Sequence, residues 1–88
     1  MSQSQHKLIK QPAVLQLTAQ AKSTLHVNIK RGLIPAAVKI GGRSVAYIES
    51  EILAVNAARI AGKSDDEIRQ LVARMMADRK KIDVQGAA

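Results

Sequence analysis

Apolar residues recur along this chain in four helical bursts and one alternating stretch, divided by glycine, proline and short polar turns. After Pro12, whose ring suits a first helical turn, Val14, Leu15 and Leu17 predict a brief helix with those three residues buried. Residues 18–20 then read as a turn. Leu25 and Ile29 set the inner face of a second helix over 21–31, which stops at Gly32. Val38, Ile40, Val45 and Tyr47 alternate around Gly41-Gly42, the pattern of a hairpin with a two-residue turn. In that register Val38 opposes Val45 and Ile40 opposes Arg43. The apolar residues share one face, Lys39 and Ser44 take the other, and Arg43 sits at the tip. A third helix starts near 49–51, carries Ile52, Val55 and Ile60, and ends at Gly62. A fourth opens with a capping box, Ser64-Asp65-Asp66-Glu67. Ile68, Leu71, Val72, Met75 and Met76 follow at helical spacing, and Arg79-Lys80-Lys81 close the run. Leu8 and Ile9 add a short extended stretch. Residues 1–7 read as a loose arm and 83–88 as a fraying tail.

Helix, turn, helix, hairpin in that order predicts a mainly α fold with a small β-hairpin. It is a winged helix-turn-helix domain over 8–61 with an added C-terminal amphipathic helix over 62–82. In such a design a helix enters the major groove of a duplex while the hairpin reaches the adjoining backbone. On the second helix Ser23, Val27 and Lys30 point away from the inner face, and Thr24, His26 and Arg31 lie on the flanks. Lys22, Lys30 and Arg31 are candidate phosphate clamps. Ser23, Thr24, His26 and Val27 face base edges or backbone, since hydroxyls bond phosphate oxygens and an apolar side chain can meet a thymine methyl. Lys39, Gly42 and Arg43 are the candidate wing contacts. The plainer alternative is that Lys30 and Arg31 merely complement the negative helix end, and that Gly-Gly-Arg is an ordinary solvated turn.

Charge strengthens the first reading. Across 88 residues, fourteen Lys and Arg stand against seven Asp and Glu, a formal net charge of +7, which favours polyanions. Phe and Trp are absent and Tyr47 is the one aromatic ring of its kind, so the core is aliphatic and thin, and a partner that adds buried area is expected. The lack of cysteine removes disulfides and thiolate metal sites, and two histidines make no metal constellation. No apolar run approaches the roughly 18 residues of a membrane span, and the Gln/Ser-rich start is unlike a signal peptide. A cytoplasmic, nucleoid-associated protein without cofactor or membrane contact is expected. Catalysis finds no support: Ser23 and His26 lie one turn apart without a third orienting group, and the carboxylates gather at helix starts.

The ordered set Thr18, Lys22-Ser23-Thr24-Leu25, Ile29-Lys30-Arg31-Gly32, Pro35, Val38-Lys39-Ile40-Gly41-Gly42-Arg43, Val45-Ala46-Tyr47, Glu49-Ser50-Glu51-Ile52 and Ala58-Arg59-Ile60 resembles the AlpA family of prophage transcriptional regulators. These are small MerR-like winged-helix proteins related in design to phage excisionases. The resemblance covers roughly residues 8–61. It implies DNA reading by the helix at 22–31 and by the wing at 41–43, in a protein that activates or represses genes of a prophage or integrative element. The chain departs from the family pattern at Ala19 and Ala21, where Gly and Ser are usual, and at His26 and Val55, where aromatics are usual. Asn28 and Asn56 replace apolar residues, so each needs a partner or a different packing.

Ile68, Leu71, Val72, Met75 and Met76 form a stripe that packs on its own domain or on a second copy. Three functional readings follow. The first is a sequence-specific regulator, bound as a homodimer or a cooperative array on duplex DNA. The second is an excisionase-like architectural factor that bends DNA beside an integrase. The third is a module that binds an integrase or the transcription machinery through the C-terminal helix.

Overall fold

The computed structural model describes the backbone of residues 6–87 and the side chains of residues 6–81. In chain order the elements are β1 (Leu8–Ile9), α1 (Gln11–Thr18), α2 (Lys22–Lys30), β2 (Val38–Gly41), β3 (Ser44–Ile48), α3 (Glu49–Ile60) and α4 (Asp65–Ala87). This is a winged-helix-like fold, mainly α, with a C-terminal helix added. The first five residues of the expected arm lie outside the described part; Lys7 is exposed, and its carbonyl accepts the Glu49 N–H at 2.9 Å.

The expected hairpin is in fact a three-stranded antiparallel sheet in the order β1-β3-β2. Leu8 pairs with Ile48 and Ile9 with Tyr47, so the short extended stretch becomes an edge strand. The wing register also differs from the expected one. Val38 faces Ala46, Lys39 faces Val45 and Gly41 faces Ser44, with an irregularity between Lys39 and Gly41. Gly42 and Arg43 therefore form the turn, helped by the left-handed φ of 49° at Gly42. Paired residues share a face, so Lys39 joins Val45 and Tyr47 and is not opposite them. Ala46, at 1% exposure, takes an inward place expected of Val45, which is 42% exposed. The shifted register changes the cross-strand partners by one residue, setting Val38 opposite Ala46 in place of Val45, while Tyr47 stays in the core as expected.

Ile9, Val14, Leu25, Leu33, Ile34, Tyr47, Ile52, Val55, Ile68 and Val72 make one core. Each element contributes except β2, which leaves the wing projecting. Full burial of such aliphatic side chains contributes about 1.5–3 kcal/mol apiece. Leu33 and Ile34, in the connector after α2, are 1% and 3% exposed and were not anticipated as core. Conversely, Leu17 at the open end of α1 is 37% exposed and Ile60 is 87% exposed. Ile60 lies about 140° around α3 from Val55 and so cannot share its inward direction.

The C-terminal helix is bound to this core by charge as well as by packing. Arg79 Nε and Nη2 donate to the Glu51 carboxylate at 2.9 and 2.6 Å, and Nη2 also reaches the Ala36 carbonyl at 2.7 Å. Glu51 lies in the first turn of α3, as expected of a helix-start carboxylate, and keeps only 8% of its side chain exposed. Arg79 is thus a structural residue and not part of a solvated basic end. The helix continues to Ala87 where fraying was expected from 83, because no proline or earlier glycine interrupts it before Gly86. Ala88 lies outside the described residues.

Candidate nucleic-acid interface

Helix α2 begins after Ala21, which offers no side-chain cap, and its first turn holds no carboxylate. The first backbone N–H groups of the helix are therefore left for solvent or for an anion. Leu25 is fully buried and Ile29 partly so, which fixes the rotation of the helix. Lys22, Ser23, Thr24, His26, Val27 and Lys30 are all exposed on the remaining surface. Val27, at 52%, is an apolar patch in the middle of this polar face.

The cations on and beside this face are unequal. Among the described residues Lys22, Lys30, Lys39 and Arg43 make no ion pair, whereas Arg31 Nη2 lies 3.7 Å from Asp65. Arg31 is thereby drawn towards the start of α4, and Arg59 holds the same carboxylate at 3.0 Å. His26 is tied sideways: the Gln11 amide approaches its Nε2 at 3.4 Å, linking α2 to the start of α1. The end of α2 is held by Arg69, which donates from Nε to the Arg31 carbonyl at 2.9 Å and lies against Gly32.

Arg43 and Gly42 are exposed at the wing tip, as expected. The register brings Lys39 onto the wing face that carries Val45. That face looks into a cleft of about 590 Å³ between the wing and the start of α1. Lys10, Gln11 and Pro12 line one side, and Arg43, Ser44 and Tyr47 the other. Lys10 Nζ donates to the Val45 carbonyl at 3.2 Å and bridges the two.

Lys10 was missed in the sequence. A usable signal existed in charge position: all seven carboxylates lie at or after Glu49, and seven of the fourteen cations precede it.

The two asparagines are accommodated without an orphaned buried amide. Asn56 donates from Nδ2 to the Leu17 carbonyl at 2.8 Å, while Asn28 is only half-buried. The apolar stripe of α4 divides. Ile68 and Val72 are 0% and 3% exposed in the core of their own domain, and Met75 packs against it. These three residues pack on their own domain, the first of the two arrangements expected for the stripe. Leu71 is half-buried and Met76 is 37% exposed, and only these two reach outward. Among the described residues no cluster of His or carboxylate groups could hold a metal ion, and no helix is long and apolar enough to cross a membrane.

A profile of the family described as "Prophage CP4-57 regulatory protein (AlpA)" matches residues 7–54. The chain is also 37% identical over 60 residues to "Uncharacterized protein ORF88" of Enterobacteria phage P4, with 68% of each chain covered. No solved structure matches it.

Proposed function

Because the chain belongs to the AlpA family of prophage regulatory proteins, we propose that it regulates genes of its element by binding duplex DNA directly. Helix α2 enters the major groove, presenting Ser23, Thr24, His26 and Val27 to base edges and backbone. Lys22 and Lys30 neutralise phosphates on either side. The wing, with Lys39, Gly42 and Arg43, rests on the neighbouring backbone. The observation that carries this reading is the unneutralised α2–wing surface: its helix is uncapped and four of its cations lack ion partners among the described residues. In a protein with abundant carboxylates elsewhere, leaving those charges open favours a polyanion over water.

A single reading head of this size binds one short site weakly, so a pair or an array on repeated half-sites supplies useful affinity. The burial of Ile68 and Val72 disfavours the module reading, in which the α4 stripe is the working surface. The architectural reading uses the same face and is separated by the bend it imposes on DNA.

The deciding experiment is selection from a random duplex library, followed by salt titration of the winning site and a scrambled duplex. The regulator reading expects an enriched motif and an affinity gap that persists at about 150 mM salt. Equal, steeply salt-dependent binding to both duplexes would leave charge alone at work and sink it. Strong bending of the selected site, read by end-to-end energy transfer, would move the assignment to the architectural role.

A further inference from the structure

The cleft between the wing and the start of α1 contains a group that folding leaves unused. Tyr47 is buried to 5% exposure, yet its hydroxyl has no hydrogen-bond partner among the described residues. A buried tyrosine ordinarily finds a partner for that hydroxyl. Among the described residues the one fully enclosed, unpartnered side-chain atom is Gln20 Oε1, so the Tyr47 hydroxyl keeps access to solvent. The cleft is the opening this residue lines.

The walls of the cleft suit an anion. Lys10 stands on one side, its ammonium held in place by the Val45 carbonyl, and Arg43 stands on the other. Ser44 is exposed and also lines the cleft. Neither cation has an ion partner among the described residues, and no carboxylate occurs in the chain before Glu49. Beside Lys10, α1 begins with no side-chain cap and no acidic residue in its first turn.

We propose that this cleft is a phosphodiester-binding site of the DNA complex, in which Lys10, Arg43, Ser44 and the Tyr47 hydroxyl grip one backbone phosphate between α1 and the wing. The site deepens the DNA-binding reading and rests on it. It adds Lys10 and Tyr47 to the contact surface and makes the start of α1 a second anchor beside the recognition helix. The Lys10–Val45 bond orients the ammonium before DNA arrives, which lowers the entropy lost on binding.

Two mild variants of the full chain test it. Tyr47→Phe keeps the buried ring and deletes only the hydroxyl, and Lys10→Gln deletes one charge. Tyr47→Phe is expected to weaken duplex binding about three- to tenfold with an unchanged salt slope, as loss of a neutral donor should. Lys10→Gln is expected to reduce the salt slope by about 1. Lys63→Gln, in the other half of the chain, is expected to change neither affinity nor slope. The Tyr47 ring is the only phenol in the chain, so isotope-filtered NMR reads the cleft directly. Its ring signals are expected to move on adding duplex and to stay put with inorganic phosphate at equal phosphate concentration. Wild-type binding with both variants unaltered, or unmoved ring signals at saturation, would overturn the cleft and leave the DNA reading intact. The same shift with inorganic phosphate would make it a free-anion site and overturn the DNA assignment of the cleft. Failure of the wild-type protein to bind any duplex would overturn both.

Discussion

Helices α1 and α2 begin without a capping side chain and without a carboxylate in their first turns. Helix α4 begins with a reciprocal cap, Ser64 N–H to Glu67 Oε1 at 2.8 Å and Glu67 N–H to Ser64 Oγ at 3.1 Å. The contrast extends to the distribution of charge. Up to Ile48 the chain has seven Lys and Arg and no carboxylate; from Glu49 onward it has seven of each. In the second half Arg59, Arg69, Arg79 and Lys81 all have carboxylate partners. Of the first half's seven cations, only Lys7, with Glu49, and Arg31, with Asp65, have ion partners among the described residues, and both partners come from the second half. Both halves build the core, but their charges differ: the second half supplies all the carboxylates, and the α2–wing surface of the first half keeps four cations without an ion partner among the described residues.

The sharpest way to break this division is at the Glu51–Arg79 pair. Arg79→Ala leaves Glu51 buried without its partner and should destabilise by about 3 kcal/mol or more in urea denaturation. DNA affinity of the molecules that remain folded should be unchanged, and a large loss there would mean that the halves are not separable. Next in size is the face itself. Lys22→Gln with Lys30→Gln should lower the salt slope of duplex binding by about 2, with stability altered by less than about 0.5 kcal/mol. A smaller effect of opposite sign is expected at the turn. Ala19 holds a left-handed φ of 55°, so Ala19→Gly should raise stability by about 0.5–1 kcal/mol in thermal denaturation.

The smallest effect is the pH dependence of the α4 cap. The backbone N–H bond from Ser64, followed by the bond with the Ser64 side chain and the nearby Lys63, holds the Glu67 carboxyl below its ordinary 4.5. A depressed folded value means that the carboxylate's contribution is complete above pH 4.5 and is lost as pH falls through the lowered value. The stability difference between wild type and Glu67→Gln should therefore shrink across that window. A difference that grows on acidification would contradict the cap's electrostatic role.

Much of the fold was legible where the code is local. The α4 cap, the stop at Gly32, the inward Leu25 and the Arg43 tip each depend on a few neighbouring residues, and the structure places them as their spacing predicts. The outward face of α2 was legible for the same reason, because one buried leucine sets the rotation of a helix. What was not legible depends on partners distant in the chain. Glu51 and Arg79 lie 28 residues apart, and nothing near either marks it as buried. Lys10 meets Val45 across 35 residues, and the register that brings Lys39 beside Val45 turns on one bulged position.

The sequence by itself determined the order of elements, the helix ends and the excess of positive charge, because propensity, capping and periodicity act over three or four residues. Tertiary structure alone decided which apolar residues of α4 are core and which reach outward. It also decided which cations are neutralised, and whether Tyr47 closes the core or opens into a cleft. Those outcomes depend on what lies opposite in space, where a carboxylate within hydrogen-bond reach changes a charge from available to committed.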